Sequence, residues 1–164
     1  MATVNRGTHS DHPHSTAKIA DHPIHPMLIP FPIVCFVGTL VTDIVYSRNL
    51  NDGWATASHW LLGIGLGMAA LAAVAGLTDY LGDHRLRGMG DALKHMIANV
   101  TAVVLEAVNL ALRLGNNDFI PSTGVYLSVV VVLILLYSGW KGGNLVYRHG
   151  VGVHDDAETE TSLR

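Results

Sequence analysis

Charged residues are nearly absent from four long stretches of the chain, and each stretch approaches the length of a membrane span. A helix needs about 20 apolar residues to cross a hydrocarbon layer roughly 30 Å thick. Residues 26–46, 54–81, 93–114 and 119–147 meet that requirement. The second is free of Asp, Glu, Lys and Arg from Ala55 to Thr78, the third is broken by Glu106, and the fourth is uncharged from Phe119 to Trp140. The connections SRNLNDG, GDHRLRGMGDA and GNNDF are short and rich in turn residues, so neighbouring helices should run in opposite directions. Pro30 and Pro32 fall early in the first helix and remove backbone donors there, which predicts an irregular start. The pattern predicts an all-α integral membrane four-helix bundle, up-down-up-down, over residues 22–153. Residues 1–21 form a His-rich tail and 154–164 an acidic tail, both read as disordered.

Composition agrees with lipid as the solvent. Of 164 residues 49% are hydrophobic and 14% charged, against about 25% charged in ordinary soluble domains. Orientation follows from basic residues, because positively charged loops resist translocation. Arg6, Lys18, Arg85, Arg87, Lys94, Lys141, Arg148 and Arg164 belong to the side of the N-terminus, the central loop and the C-terminus, and only Arg48 and Arg113 to the other. Both termini are therefore expected in the cytoplasm. Tyr46, Trp54 and Trp60 suit an aromatic belt at one boundary, and Tyr80, Trp140 and Tyr147 at the other. The first 21 residues lack the features of a signal peptide.

A net charge of -3 with no Lys/Arg cluster excludes a nucleic-acid partner. The single Cys35 reads as a small hydrophobe. No nucleophile–base arrangement, phosphate loop or HExxH motif assigns an enzyme class. Gly63 and Gly67 form a small-xxx-small face, expected to pack inside the bundle, with a homodimer contact as the alternative.

The informative residues are polar ones inside the spans, since each costs several kcal/mol in lipid unless it has a partner or a task. His95, Asn99, Glu106, Asn109 and Arg113 recur at helical spacing, with Ala102 in the gap, so they form one stripe facing the interior. Glu106 lies about 16 Å from His95 along the axis. Asp43 stands at the height of Arg113, which predicts a locking ion pair. Asp79 lies at the level of His25 and His95, where a carboxylate would orient an imidazole by accepting its ring proton. His25, His95 and His149 should converge at the cytoplasmic face, while His59 reads as interfacial and His9, His12, His14 and His22 as tail.

Two imidazoles on facing helices of a bundle are what a b-type haem requires axially. His25 and His95 are the preferred ligand pair, His149 the substitute, and Asp79 and Asn99 the supporting residues. Interfacial histidines that merely cap helix ends are the bland alternative. Proton or ion transport along the stripe is the rival function, motivated by Glu106, and a structural subunit whose stripe only joins helices is the second.

The segments HPIHPMLIPFPI, GLTDYLGD, HMIANV and SGWKGGNLVYRHGVGV resemble the bacterial membrane family called domain of unknown function 2231, over about residues 21–153. By that resemblance His25, Pro26, Asp79, His95, Asn99, Asn109, Arg113, Gly139, Trp140, Gly143 and His149 occupy motif positions. Family members are found joined to Rieske and cytochrome c-like domains. The resemblance therefore implies a multi-pass protein of the bacterial inner membrane in an electron-transfer setting, with lipid around it and a quinone or redox protein as partner. An acid is common in the GG-x-LVY segment of the family, where this chain has Asn144.

Overall fold

The computed structural model describes residues 15–20 and 22–153. Four helices are long and apolar enough to cross a membrane: Ile24–Asn49, Asp52–Gly82, Gly90–Arg113 and Ile120–Tyr147. The first span is two helices end to end, α1 (Ile24–Leu28) and α2 (Pro30–Asn49). The second is α3 (Asp52–Gly82), and the short α4 (His84–Gly88) leads to the third, α5 (Gly90–Arg113). The fourth opens with a π-helical turn at Ile120–Gly124 and continues as α6 (Val125–Tyr147). A two-residue hairpin, β1 (Lys18–Ile19) with β2 (His22–Pro23), precedes the bundle.

The helices outrun the hydrophobic stretches by a few residues because polar caps, not lipid, end them. The Asn51 side chain accepts the Gly53 amide at the start of α3, and Asp83 accepts the Arg85 amide at the start of α4. Such caps satisfy amide groups that have no partner inside the helix. The expected irregularity in the first span falls at Ile29, which keeps right-handed helical angles (φ -52, ψ -40). Pro30 and Pro32 cannot donate to the carbonyls four residues earlier, so the hydrogen-bond ladder thins there.

Packing is closest between the first and second spans and between the third and fourth; the first also meets the fourth, and the second meets the third. The result inverts the distribution of a soluble bundle. Asp43, Glu106, Asn109 and Arg113 are all 0% exposed, whereas Val34, Val74 and Leu136 are 66–68% exposed. Apolar contact centres on Phe36, Leu62 and Ala69, with a smaller cluster of Tyr46, Ala55 and Ile120. Tyr46, expected in the boundary belt, is therefore a core residue.

Glycine sets the approach of the first two spans, at a position other than the expected one. A Cβ on Gly65 would meet Phe36 at 2.7 Å and Cys35 at 2.9 Å, while Gly63 and Gly67 have nothing within 4 Å. The small-xxx-small face thus points away from the bundle, contrary to its expected internal role. Gly65→Ala should lower stability in detergent by about 1–3 kcal/mol through overpacking. Gly63→Ala should leave thermal unfolding unchanged or slightly improved, since Ala is the better helix former.

Candidate functional site

The polar interior divides into two clusters joined by the third span. At one end Asp43 of α2 meets Arg113 of α5, with Nη1 donating to Oδ1 at 2.9 Å and Nη2 to Oδ2 at 3.0 Å. The remaining Arg113 donors reach the Ser58 hydroxyl at 2.6 Å and Asn109 Oδ1 at 2.6 and 3.2 Å. Ser58 and Ser128 in turn donate to the two oxygens of Asp43. Asn109 donates to Glu106 Oε2 at 2.9 Å and to Ser128 Oγ at 3.2 Å. All four spans contribute, so the network ties the bundle together at this level.

Local geometry makes room for the guanidinium. A Cβ on Gly124, at the end of the π-helical turn, would stand 3.1 Å from Arg113 Nη2 and 3.4 Å from Asn109 Oδ1. The extra residue in that turn, one of the places where π-helical turns concentrate at functional positions, brings a bare backbone against the charge. His59 adds a clasp, its Nδ1 lying 2.6 Å from the Ala55 carbonyl and its Nε2 3.2 Å from that of Arg113. The isolated interfacial role expected for His59 is thus a bridge from the second span to the end of the third.

At the other end His25 of α1 and His95 of α5 face one another, ring centroids 6.2 Å apart and planes at 87°. Both are held in the same way. His25 Nδ1 donates to the Ala72 carbonyl at 2.8 Å and His95 Nδ1 to the Ser138 carbonyl at 2.8 Å. One turn further on in each supporting helix a glycine lies under the ring. A Cβ would stand 2.8 Å from His25 Cε1 at Gly76 and 3.0 Å from His95 Cε1 at Gly142. A carbonyl accepts, so each ring carries its proton on Nδ1 and presents Nε2 as a lone pair. Asn99 Nδ2 lies 3.0 Å from His95 Nε2 and donates to it.

Other expected members stand elsewhere. His149 does not join the pair: its Nε2 is 4.0 Å from Asp91, with a side chain 40% exposed. Asp91 also receives Lys141 at 3.0 Å and Asn144 at 3.2 Å. The chain passes beyond the end of α6 before reaching position 149, which carries that imidazole to the surface. Asn144 works as a donor there, a role an acid at this position would not fill. Among the described residues Asp79 orients no imidazole; backbone carbonyls hold the His25 and His95 rings. Asp79 Oδ1 instead accepts from Thr16 N, Ala17 N and the Ser15 hydroxyl at 2.8, 2.7 and 2.9 Å. Residues 15–20, assigned to the tail from sequence, are thereby laid against the second span.

Among the described residues no three His, Cys, Asp or Glu side chains are grouped to hold a metal ion. His9, His12 and His14 lie outside the described residues, as does the acidic tail beyond residue 153. The supports that sequence reasoning missed are Ala72 with Gly76 and Ser138 with Gly142. Their common signal is a small residue followed four positions later by glycine, opposite a histidine.

A family described as "Predicted membrane protein (DUF2231)" matches residues 21–155. The chain belongs to that family and is a multi-pass membrane protein. No curated protein and no solved structure matches it.

The buried network yields a stability test. Arg113→Met leaves Asp43 without its cation and should cost about 3–5 kcal/mol in detergent unfolding. Asp43→Leu combined with Arg113→Met should recover most of that loss, because a paired charge and an apolar pair are similar in net worth.

Proposed function

We propose that the chain, a member of this family of predicted membrane proteins, is a b-type haem protein of the bacterial inner membrane, with His25 and His95 as the residues that would ligate the haem. The reading is carried by one observation: two facing imidazoles each give Nδ1–H to a backbone carbonyl and keep Nε2 as a lone pair. Metal-ligating histidines are held in this manner, since the bond fixes tautomer and ring direction. The residues fit the group in separation as well. With ring centroids 6.2 Å apart, His25 and His95 are near enough that both would hold one such group.

Haem, when bound, supplies a one-electron couple whose potential depends on axial ligands and burial. The protein's part is to hold and orient the rings. The Ala72 and Ser138 carbonyls lock their direction, and Gly76 and Gly142 let them sit close to the supporting helices. Asn99 has to turn its amide away from His95 Nε2 to release that nitrogen.

The basic residues of the sequence favour an up-down-up-down bundle with both termini cytoplasmic, which assigns the imidazole pair to the cytoplasmic half. A quinone or a redox protein is the partner suited to that depth. Conduction along the stripe is the weaker reading, because Ala102, 1% exposed, fills the stripe between Asn99 and Glu106, and the polar side chain nearby on the third span, Thr101, is exposed and bonds the Ile97 carbonyl of its own helix. Purified from haem-sufficient cells, the protein should show a Soret band with low-spin bis-imidazole character. His25→Ala and His95→Ala should each abolish that character while His149→Ala retains it; a wild-type protein without any Soret band contradicts the reading. Gly142→Val, which pushes on the His95 ring, should weaken haem retention at least tenfold with helical content intact.

A further inference from the structure

Glu106 is unused by the haem reading, and its surroundings are unusual enough to support an inference independent of any cofactor. The side chain is 0% exposed. Its Oε2 accepts from Asn109, and its Oε1 is, among the described residues, the one fully buried side-chain nitrogen or oxygen without a hydrogen-bond partner. Every other polar side-chain atom of the network has a partner. Arg113 spends all five N–H groups, Asn109 both of its amide hydrogens, and Ser58 and Ser128 each accept one bond and donate one.

Charge makes the open valence meaningful. The charged groups facing Glu106 are Asp43 from the first span and Arg113 from its own helix; the second and fourth spans bring only the hydroxyls of Ser58 and Ser128 to the network. One guanidinium can neutralise one carboxylate. A second buried carboxylate would stand uncompensated where desolvation is most costly, so one of the two acids holds a proton. Asp43 has no room for it: both oxygens already accept two donors each, from Arg113, Ser58 and Ser128, an arrangement that favours the ionised form. Glu106 accepts a single bond, and its Oε1 is vacant.

We infer that Glu106 is a reversible proton-binding site in the middle of the bundle, its proton held on Oε1, with occupancy governed by the charge balance of the Asp43–Arg113 pair. The ligand is a proton and the acceptor a carboxylate; binding forms one O–H bond and cancels one negative charge. Asn109 positions the carboxyl by donating to Oε2, which serves as the carbonyl oxygen of the neutral acid. Removing the Asp43 charge would reverse the balance: Arg113 then lacks a counter-ion, and Glu106 releases its proton to supply one.

Infrared spectroscopy of the purified full chain in detergent, with and without haem, tests this. The wild type should show one protonated-carboxyl C=O band that shifts in deuterium oxide, is lost in Glu106→Gln, and fades reversibly as pH is raised with helical content unchanged. Glu106→Gln should fold normally, because an amide has the shape and neutrality of the protonated acid. Asp43→Asn should also lose the band. A wild type without a band that Glu106→Gln removes, or a band that persists at every pH until the protein unfolds, overturns the inference. Since the measurement reads Glu106 alone, its outcome is separate from the presence or absence of a Soret band.

Discussion

A polar side chain surrounded by hydrocarbon has to find its partner within the protein, and that constraint organises this molecule from one end to the other. Lipid-like surfaces cannot drive the helices together as water would, so small residues and hydrogen bonds must do so. Here the first and third spans carry the polar groups and the second and fourth receive them. Asp43 and Arg113 meet across the interior at one level, and His25 and His95 at the other. The second and fourth spans answer with Ser58 and Ser128 beside the ion pair, and with the Ala72 and Ser138 carbonyls beside the imidazoles. The same division of labour thus appears twice, once in charge and once in aromatic nitrogen.

The two levels differ in what they leave over. Around Arg113 each donor is consumed, which suits a lock. Around the imidazoles the direction of each ring is fixed by Nδ1 while Nε2 is free, or held only by the turnable Asn99 amide. A lone pair kept in a defined direction inside a bundle is a binding capacity, whereas a saturated guanidinium is a fastening. This asymmetry is why the haem reading rests on one end of the molecule and the structural role on the other. Glu106 sits between them, with one oxygen committed and one open.

Much of this was legible before any coordinates. Charge-free runs gave the four spans, and helical spacing put Glu106, Asn109 and Arg113 on one buried stripe with Asp43 as the predicted partner of Arg113. His25 opposite His95 was legible too, from depth alone. Supports were not. A backbone carbonyl has no residue letter, so the Ala72 and Ser138 contacts had no signature beyond a following glycine, and the carboxylate of Asp79 was the more obvious candidate. Asp79 was drawn instead by backbone amides of residues 16 and 17, a pairing between a loop and a helix end that periodicity does not encode. Gly63 and Gly67 illustrate the same limit: the motif marks a face that permits close approach, and only packing decides which face is turned inward.

The claim on which the site depends is that both central imidazoles are fixed as Nδ1–H tautomers by the neighbouring helices. Nitrogen-15 NMR of haem-free protein labelled at histidine reads this directly. At neutral pH His25 and His95 should each show a protonated Nδ1 and an unprotonated Nε2. Finding either ring protonated at Nε2 instead, or exchanging freely between the two forms as a solvated imidazole does, would contradict the account.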